Sequence, residues 1–423
     1  MNRGRGAGGQ GGRGVLLALL ALAGLVSATE AGAQTAVPLP RRPAAPLGSH
    51  LTVYLMTMGP GEQVWERFGH NAIWIHDPVA GTDQAYNYGL FDLGQEDFLP
   101  RFVRGEMWYW MAGFPAERYV QSYVRDNRSV WLQELELPPE ARHELQEFLR
   151  RNELPENRFY HYDYYRDNCS TRVRDAIDRV IGGRIASQTG DSPAGTTYRF
   201  HTQRLNTNDP PIFTGLLLAL GEGVDRPISV WEEMFLPLAM REHLRRVTVA
   251  GPGGAPVPLV KSERTLFEST APPPPAAPPR WLHWYLSLGV ALGAAVAGLG
   301  AFRRNRAARL GFAVLIATWG LAVGLAGVVL AGLWGFTDHV MAHRNENLFQ
   351  VNPLALALVV LGPLAAGGRA VRQARAVAIA LAGLAVLGLV LQVLPGLDQV
   401  NGAIIALALP MHLGIAMALR RLS

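Results

Sequence analysis

Tyr160-His161-Tyr162-Asp163-Tyr164-Tyr165-Arg166-Asp167-Asn168-Cys169-Ser170-Thr171-Arg172 is the stretch on which the fold turns, and it holds the single cysteine of a 423-residue chain. An aromatic run ends at Asp167-Asn168, residue types that cap a helix by accepting hydrogen bonds from its first N–H groups. Beyond them Val173, Ala176, Ile177, Val180 and Ile181 recur at helical spacing until Gly182-Gly183 end the pattern. Cys169 therefore falls in the first turn of a predicted helix, four residues before Val173 and on its inward side. Free N–H groups and the helix dipole at that position favour thiolate over thiol, and Arg166 and Arg172 add positive charge nearby. These features predict a lowered thiol pKa and a nucleophile. The plainer reading, a small buried hydrophobe, stands beside it.

Hydrophobic residues make up 49% of the chain and gather in runs, which points to membrane spans beside a globular part. One cysteine excludes a disulfide framework, so an extracytoplasmic domain has to stand on its core. The formal net charge of +5 suggests nucleic acid only until its distribution is read. Arg3, Arg5, Arg13, Arg303, Arg304, Arg306, Arg309, Arg369, Arg372, Arg375, Arg420 and Arg421 flank apolar runs, where arginine orients a membrane protein. Without these twelve, 27 basic residues face 34 acidic ones, and no nucleic-acid partner is expected.

Residues 1–33 read as a secretory signal peptide, with an arginine-bearing start, an apolar run over 15–26 and a small-residue cleavage site at Ala31-Gly32-Ala33. A retained signal anchor is the alternative. Residues 34–50 form a Pro/Ala-rich leader. Residues 51–270 mix strands and helices. Strand patterns cover 51–57 and 71–76, with shorter candidates at 85–88 and 107–111. Helical patterns cover 96–104, 115–123, 138–151 and 212–220, and 246–260 reads as a hairpin. Residues 271–280 are a proline-rich spacer. In 281–423 five apolar runs follow, at about 282–302, 310–333, 353–367, 376–394 and 402–419, the third one short. Arginine-rich loops alternate with nearly uncharged ones. The positive-inside rule then gives an extracytoplasmic domain, five transmembrane helices and a cytoplasmic C-terminus.

A nucleophilic thiol needs a base, and Arg67-Phe68-Gly69-His70-Asn71-Ala72-Ile73-Trp74-Ile75 sets a histidine at the start of a strand. His70 precedes Cys169 by 99 residues, an order reversed from papain but shared with circularly permuted relatives. A structural histidine at a strand end is the alternative, and His76, His143, His161, His201 and His243 are rivals. Asn87, on the next strand, is placed to orient an imidazole, and the Cys169 N–H is the natural oxyanion donor. A second polar cluster lies between the second and third apolar runs, where Asp338, His339, His343, Arg344, Asn345 and Asn347 crowd together. It reads as a lipid-headgroup or acceptor site through Asp338, His339, Asn345 and Asn347, or as an ordinary polar connector. Zinc ligation by Asp338, His339 and His343 is disfavoured by their spacing, and neither metal nor cofactor is expected.

Five segments, taken in order, carry a family resemblance. They are Gly69-His70-Asn71, Tyr86-Asn87-Tyr88-Gly89-Leu90-Phe91-Asp92, Asn168-Cys169-Ser170-Thr171-Arg172-Val173-Arg174-Asp175, Met234-Phe235-Leu236-Pro237, and Thr337-Asp338-His339 with Asn345-Glu346-Asn347-Leu348. Together they resemble the Lnb family of bacterial lipoprotein N-acyltransferases over almost the whole mature chain. The resemblance implies an α+β, circularly permuted papain-like domain, related to NlpC-type peptidases and to lecithin:retinol acyltransferase. An all-α bundle of five transmembrane helices in the bacterial cytoplasmic membrane would follow it. It also implies His70 and Cys169 as the catalytic pair, with Asn71, Asn168 and Arg172 as supporting candidates within the matched segments. The implied reaction moves an acyl chain from phospholipid to the Cys169 thiol and on to the α-amino group of a diacylglyceryl-cysteine lipoprotein. A membrane-tethered cell-wall peptidase or amidase and a non-catalytic envelope-binding protein are the alternatives. Five spans favour the lipid-handling enzyme, because a wall hydrolase needs at most one anchor.

Overall fold

The computed structural model describes residues 45–302 and 304–421. The expected signal peptide and most of the expected leader lie outside these residues. Period-two alternation sets the sheet. In β1 (Thr52–Met58), Val53 and Leu55 face one side while Met56 and Met58 face the other. β2 (His70–Asp77) and β3 (Thr82–Leu90) continue the pattern, joined by β4 (Trp108–Pro115), β5 (Val130–Leu135) and β6 (Phe159–His161). Small two-stranded sheets are formed by β7 (Pro193–Thr197) with β8 (Pro227–Ser229), and by β9 (Thr248–Ala250) with β10 (Pro256–Pro258). With β11 (Val260–Phe267), the main sheet among the described residues has seven strands in the order β11-β5-β1-β2-β3-β4-β6. Its neighbours pair antiparallel throughout.

α1 (Phe98–Arg104) lies beyond the end of β3, and α2 (Ala116–Arg125) covers the Met56 face with Ala116 and Tyr119. α3 (Pro139–Glu153) and α4 (Cys169–Val180) cover the Val53 face through Leu145, Leu149, Val173 and Ile177. Each such fully buried aliphatic side chain contributes roughly 1.5–3 kcal/mol, so this face anchors α4 firmly. α5 (Arg184–Thr189), α6 (Tyr198–Leu205), α7 (Pro210–Ala219), α8 (Val230–Glu233) and α9 (Pro237–Leu244) complete the domain. The sheet corrects the sequence reading at several strands, since β6 and β11 also join it where no strand was expected. β5 lies inside the sheet although no strand was expected there, and β4 runs on to Pro115, so the following helix begins one residue later, at Ala116.

α10 (Leu282–Ala301), α11 (Arg306–Phe336), α12 (Ala357–Ala366), α13 (Val371–Leu391) and α14 (Gly402–Arg420) form the membrane part. Among the described residues five segments are long and apolar enough to span a bilayer. The third is Glu346–Ala366 rather than 353–367. It enters through short 3₁₀ turns before α12, because Pro353 lacks an N–H and Asn352 accepts from Leu354 N–H at 3.0 Å instead. Small residues set the helix contacts. A Cβ on Gly289 or Gly293 would strike the carbonyls of Ala406, Leu407 and Pro410 on α14, and Gly414 abuts Gly293 in return.

Candidate active site

The sheet end where β2 begins and β3 stops is also where the N-terminus of α4 arrives. Gly69 turns into β2 with φ +83, and a Cβ there would come within 2.9 Å of the Met58 carbonyl. His70 follows as the first residue of β2. The register sets Ala72 opposite Asn87, so His70 and Asn87 share the α2 face of the sheet one step apart. His70 Nε2 lies 2.5 Å from Asn87 Oδ1. A carbonyl oxygen only accepts, so Nε2 carries the proton and Nδ1 is left as the basic nitrogen. The imidazole stacks on Tyr123 with centroids 6.3 Å apart. Desolvation, opposed by the Asn87 bond and assisted by the Arg128 cation, holds its pKa at about 4. The ring is neutral at physiological pH.

Asn168 builds the helix start that presents the thiol. Its Oδ1 accepts from Ser170 N–H at 2.8 Å and Thr171 N–H at 2.9 Å, while Thr171 Oγ1 accepts from Asn168 N–H at 2.8 Å. Its Nδ2 donates to the carbonyls of Tyr164 and Phe235. Asn71 couples strand to helix, since its Nδ2 donates to Ser170 Oγ at 2.9 Å, and Ser170 Oγ donates to Met234 O at 2.6 Å. The sulfur of Cys169 is thereby held within hydrogen-bond reach of the Asn71 N–H, the residue after His70. The thiol thus meets the backbone of the residue that follows His70 on β2.

The expected thiolate is reversed. Cys169 is only 9% exposed, and desolvation pushes its thiol up to about 11 despite the N–H groups of Asn71, Cys169 and Ser170 and the charge of Arg128. Arg172 is engaged elsewhere, paired with Asp167 and lying 4.2 Å over the Tyr160 ring, and Arg166 is exposed. Arg128 is the cation that acts on both Cys169 and His70, fixed by Gly59 O and Glu66. It follows α2 in a turn and carries no sequence signal. Tyr119, Tyr123, Tyr160 and Tyr162 surround the thiol closely enough to feel its charge. Alternation of tyrosines at 160, 162 and 164 was the available clue to one shared side. Gly89, at φ +92, opens space beside them. A Cβ there would lie 3.3 Å from Cys169 Cβ and 3.8 Å from Tyr160 Oη. Four of the rival histidines are occupied elsewhere. His76 pairs with Asp83, His161 packs on Trp108, and His201 and His243 both bond to Glu233.

Two family models match the chain, the Lnb N-terminal periplasmic domain over residues 47–204 and the Lnb transmembrane domain over residues 290–421. The chain belongs to the Lnb family. It is a multi-pass membrane protein with a periplasmic domain. Neither the curated proteins nor the solved structures gave a match.

The loop after the second Lnb span touches this periplasmic domain and so lies on its side of the membrane. Asp338 N–H donates to Arg104 O at 2.7 Å, and His339 Nε2 bonds to Phe102 O at 2.8 Å. Asp338 is exposed and His339 partly so, with its ring stacked on Tyr164. Asn345 and Asn347 differ from the headgroup-binding expectation. Both are buried, at 1% and 0% exposure, and their amides cap the C-terminal carbonyls of α7. Asn345 Nδ2 donates to Leu218 O and Ala219 O, Asn347 Nδ2 to Leu217 O and Leu218 O, and Gln399 Nε2 to Leu220 O. A helix end leaves four carbonyls without intrahelical donors, and here the membrane domain supplies them. These asparagines clasp the two domains together and have no amide hydrogens facing lipid.

Proposed function

We propose that this Lnb protein is a lipoprotein N-acyltransferase in which Cys169 is the nucleophile and His70 the general base. The observation that carries the reading is a buried thiol at a capped helix start, set against the backbone N–H of the residue after a histidine that Asn87 orients, in a domain clasped to the end of a membrane bundle. That combination suits a substrate whose reacting ester lies at the bilayer surface. A permuted papain-like arrangement is the fold reading that accompanies it, with the domain over residues 51–270 on the periplasmic side of the cytoplasmic membrane.

In the first half-reaction Sγ attacks the phospholipid ester carbonyl as its proton passes to His70 Nδ1. The C–S bond forms, the ester C–O bond breaks, and the lysophospholipid oxygen leaves with the proton from His70. The Cys169 N–H is the oxyanion donor; the next two N–H groups are taken by Asn168. In the second half the α-amino group of the diacylglyceryl-cysteine attacks the thioester. The C–N bond forms, the C–S bond breaks, and a proton returns through His70 to sulfur. Asn71, Asn168 and Arg172 act as positioning residues, Arg172 through the Tyr160 ring.

Incubated with phospholipid and no acceptor, the full-length protein should carry an acyl group on Cys169 that neutral hydroxylamine removes, seen as a mass increment on the Cys169 peptide. Cys169→Ala should lack the adduct and leave the N-terminal peptide of a model lipoprotein unacylated in a host deprived of its own N-acyltransferase. Normal N-acylation by Cys169→Ala would end this reading.

A further inference from the structure

α1 and its approach expose apolar side chains that the thiol site does not use. Leu93 is 64% exposed, Leu99 68% and Val103 55%, with Phe102 beside them at 36%. Leu99, Phe102 and Val103 share one side of α1 at i, i+3 and i+4, and an exposed apolar side of this kind marks a surface with a partner. The chain itself indicates which. α1 is held at Arg104 and Phe102 by Asp338 and His339, immediately after the periplasmic end of α11. That end carries Trp334 and Phe336, 45% and 87% exposed, as expected for side chains in the interfacial aromatic belt. At 1.5 Å per residue α11 measures roughly 46 Å, against a hydrocarbon core of about 30 Å, so its end emerges among the headgroups and carries α1 to that level. Arg104, exposed at the end of α1, has the charge to meet lipid phosphate.

We propose that Leu93, Leu99, Phe102 and Val103 are seated in the periplasmic leaflet of the membrane, with the α1 side chains at the boundary between headgroups and acyl chains. A short apolar helix lying in the interface buries its face by about 5–10 Å. The same face is continuous with the thiol site. Aromatic contacts run from Phe102 through His339 and Tyr164 to Tyr162, and from Phe102 through Phe98, Phe91 and Tyr109 back to Tyr162. Tyr162 lies beside Cys169, so one closed circuit of rings joins the leaflet surface to the nucleophile.

The test does not depend on acyl transfer. Leu99→Cys and Val103→Cys are made separately in full-length protein carrying Cys169→Ala, so that each introduced thiol is the only one, and are labelled with an environment-sensitive fluorophore. Glu140→Cys, on the exposed face of α3, serves as the water-facing control probe. In nanodiscs containing phosphatidylcholine with brominated acyl chains, both α1 probes should be quenched roughly threefold or more over the Glu140→Cys probe, as an interfacial depth requires. Quenching no stronger than at position 140 would overturn the proposal. So would shielding of the α1 probes from both bromolipid and aqueous iodide, which would put a protein partner or a second copy on this face.

Discussion

Burial acts on Cys169 and His70 through the same physics and discharges both. The thiol is held near 11 because an anion is poorly solvated there, and the imidazole near 4 because a cation is, with Arg128 adding to the second effect and opposing the first. The resting pair is therefore thiol and neutral imidazole, and in the proposed reaction the proton moves during attack. The pH dependence follows from the signs. His70 is lost as a base only as pH falls towards 4, and Cys169 loses its proton only as pH rises towards 11. Acylation of Cys169 should accordingly be flat between pH values of about 5 and 10 where these two groups are limiting. Alkylation of the lipid-free protein by iodoacetamide should climb through pH 9 with no plateau below pH 7. An early plateau would reveal a resting thiolate of the ion-pair type.

α4 is worth more to the site than a scaffold would be, because its first turn holds the proposed nucleophile. Asn168 occupies two of the free N–H groups and ties the preceding loop to Tyr164 O and Phe235 O. Asn168→Ala should cost about 1–2 kcal/mol of stability, the upper part of the usual cap range, because four hydrogen bonds are lost rather than one. Formation of the Cys169 adduct should slow about tenfold, the equivalent of about 1.4 kcal/mol in the barrier. Asn168→Asp keeps the acceptor and loses the Nδ2 donor, so it should fall between the two in thermal unfolding and single-turnover acylation. Equal adduct rates in all three proteins would reduce Asn168 to a purely structural cap.

At the scale of the whole molecule, the fastenings between domain and membrane include α1 on Asp338 and His339, and α7 on Asn345, Asn347 and Gln399. Because Asn345 and Asn347 supply buried caps, Asn345→Ala with Asn347→Ala should lower accumulation of the protein in the membrane, each orphaned carbonyl group costing roughly 1–3 kcal/mol. Quantitative immunoblotting of membranes checks this, and normal accumulation with lost activity would return these residues to a substrate site. The same contacts fix the sidedness of the loop. Reporter fusions after Ala271 and Gly335 should read periplasmic, and fusions after Arg306 and Arg372 cytoplasmic. A cytoplasmic signal at Gly335 would contradict the contact between Asp338 and Arg104.

Local chemistry was enough for what is local. The asparagine cap and the apolar period after Cys169 determine α4, alternation determines β1 to β3, and four of the five spans are readable as runs of apolar residues between loops of opposite charge character. Gly69-His70 and Asn87 are legible as a strand start and its neighbour because register carries period two across a hairpin. The thiol pKa was not legible, since desolvation depends on how closely Tyr119, Tyr123, Tyr160 and Tyr162 gather from distant elements, whereas a helix start is visible in three residues. Arg128 and β5 were hidden for the same reason, as their roles arise from position within the sheet and its connections and not from any local pattern. Asn345 and Asn347 resemble binding residues in sequence and become a clasp only because α7, more than 120 residues earlier, ends against them and leaves carbonyls that need donors.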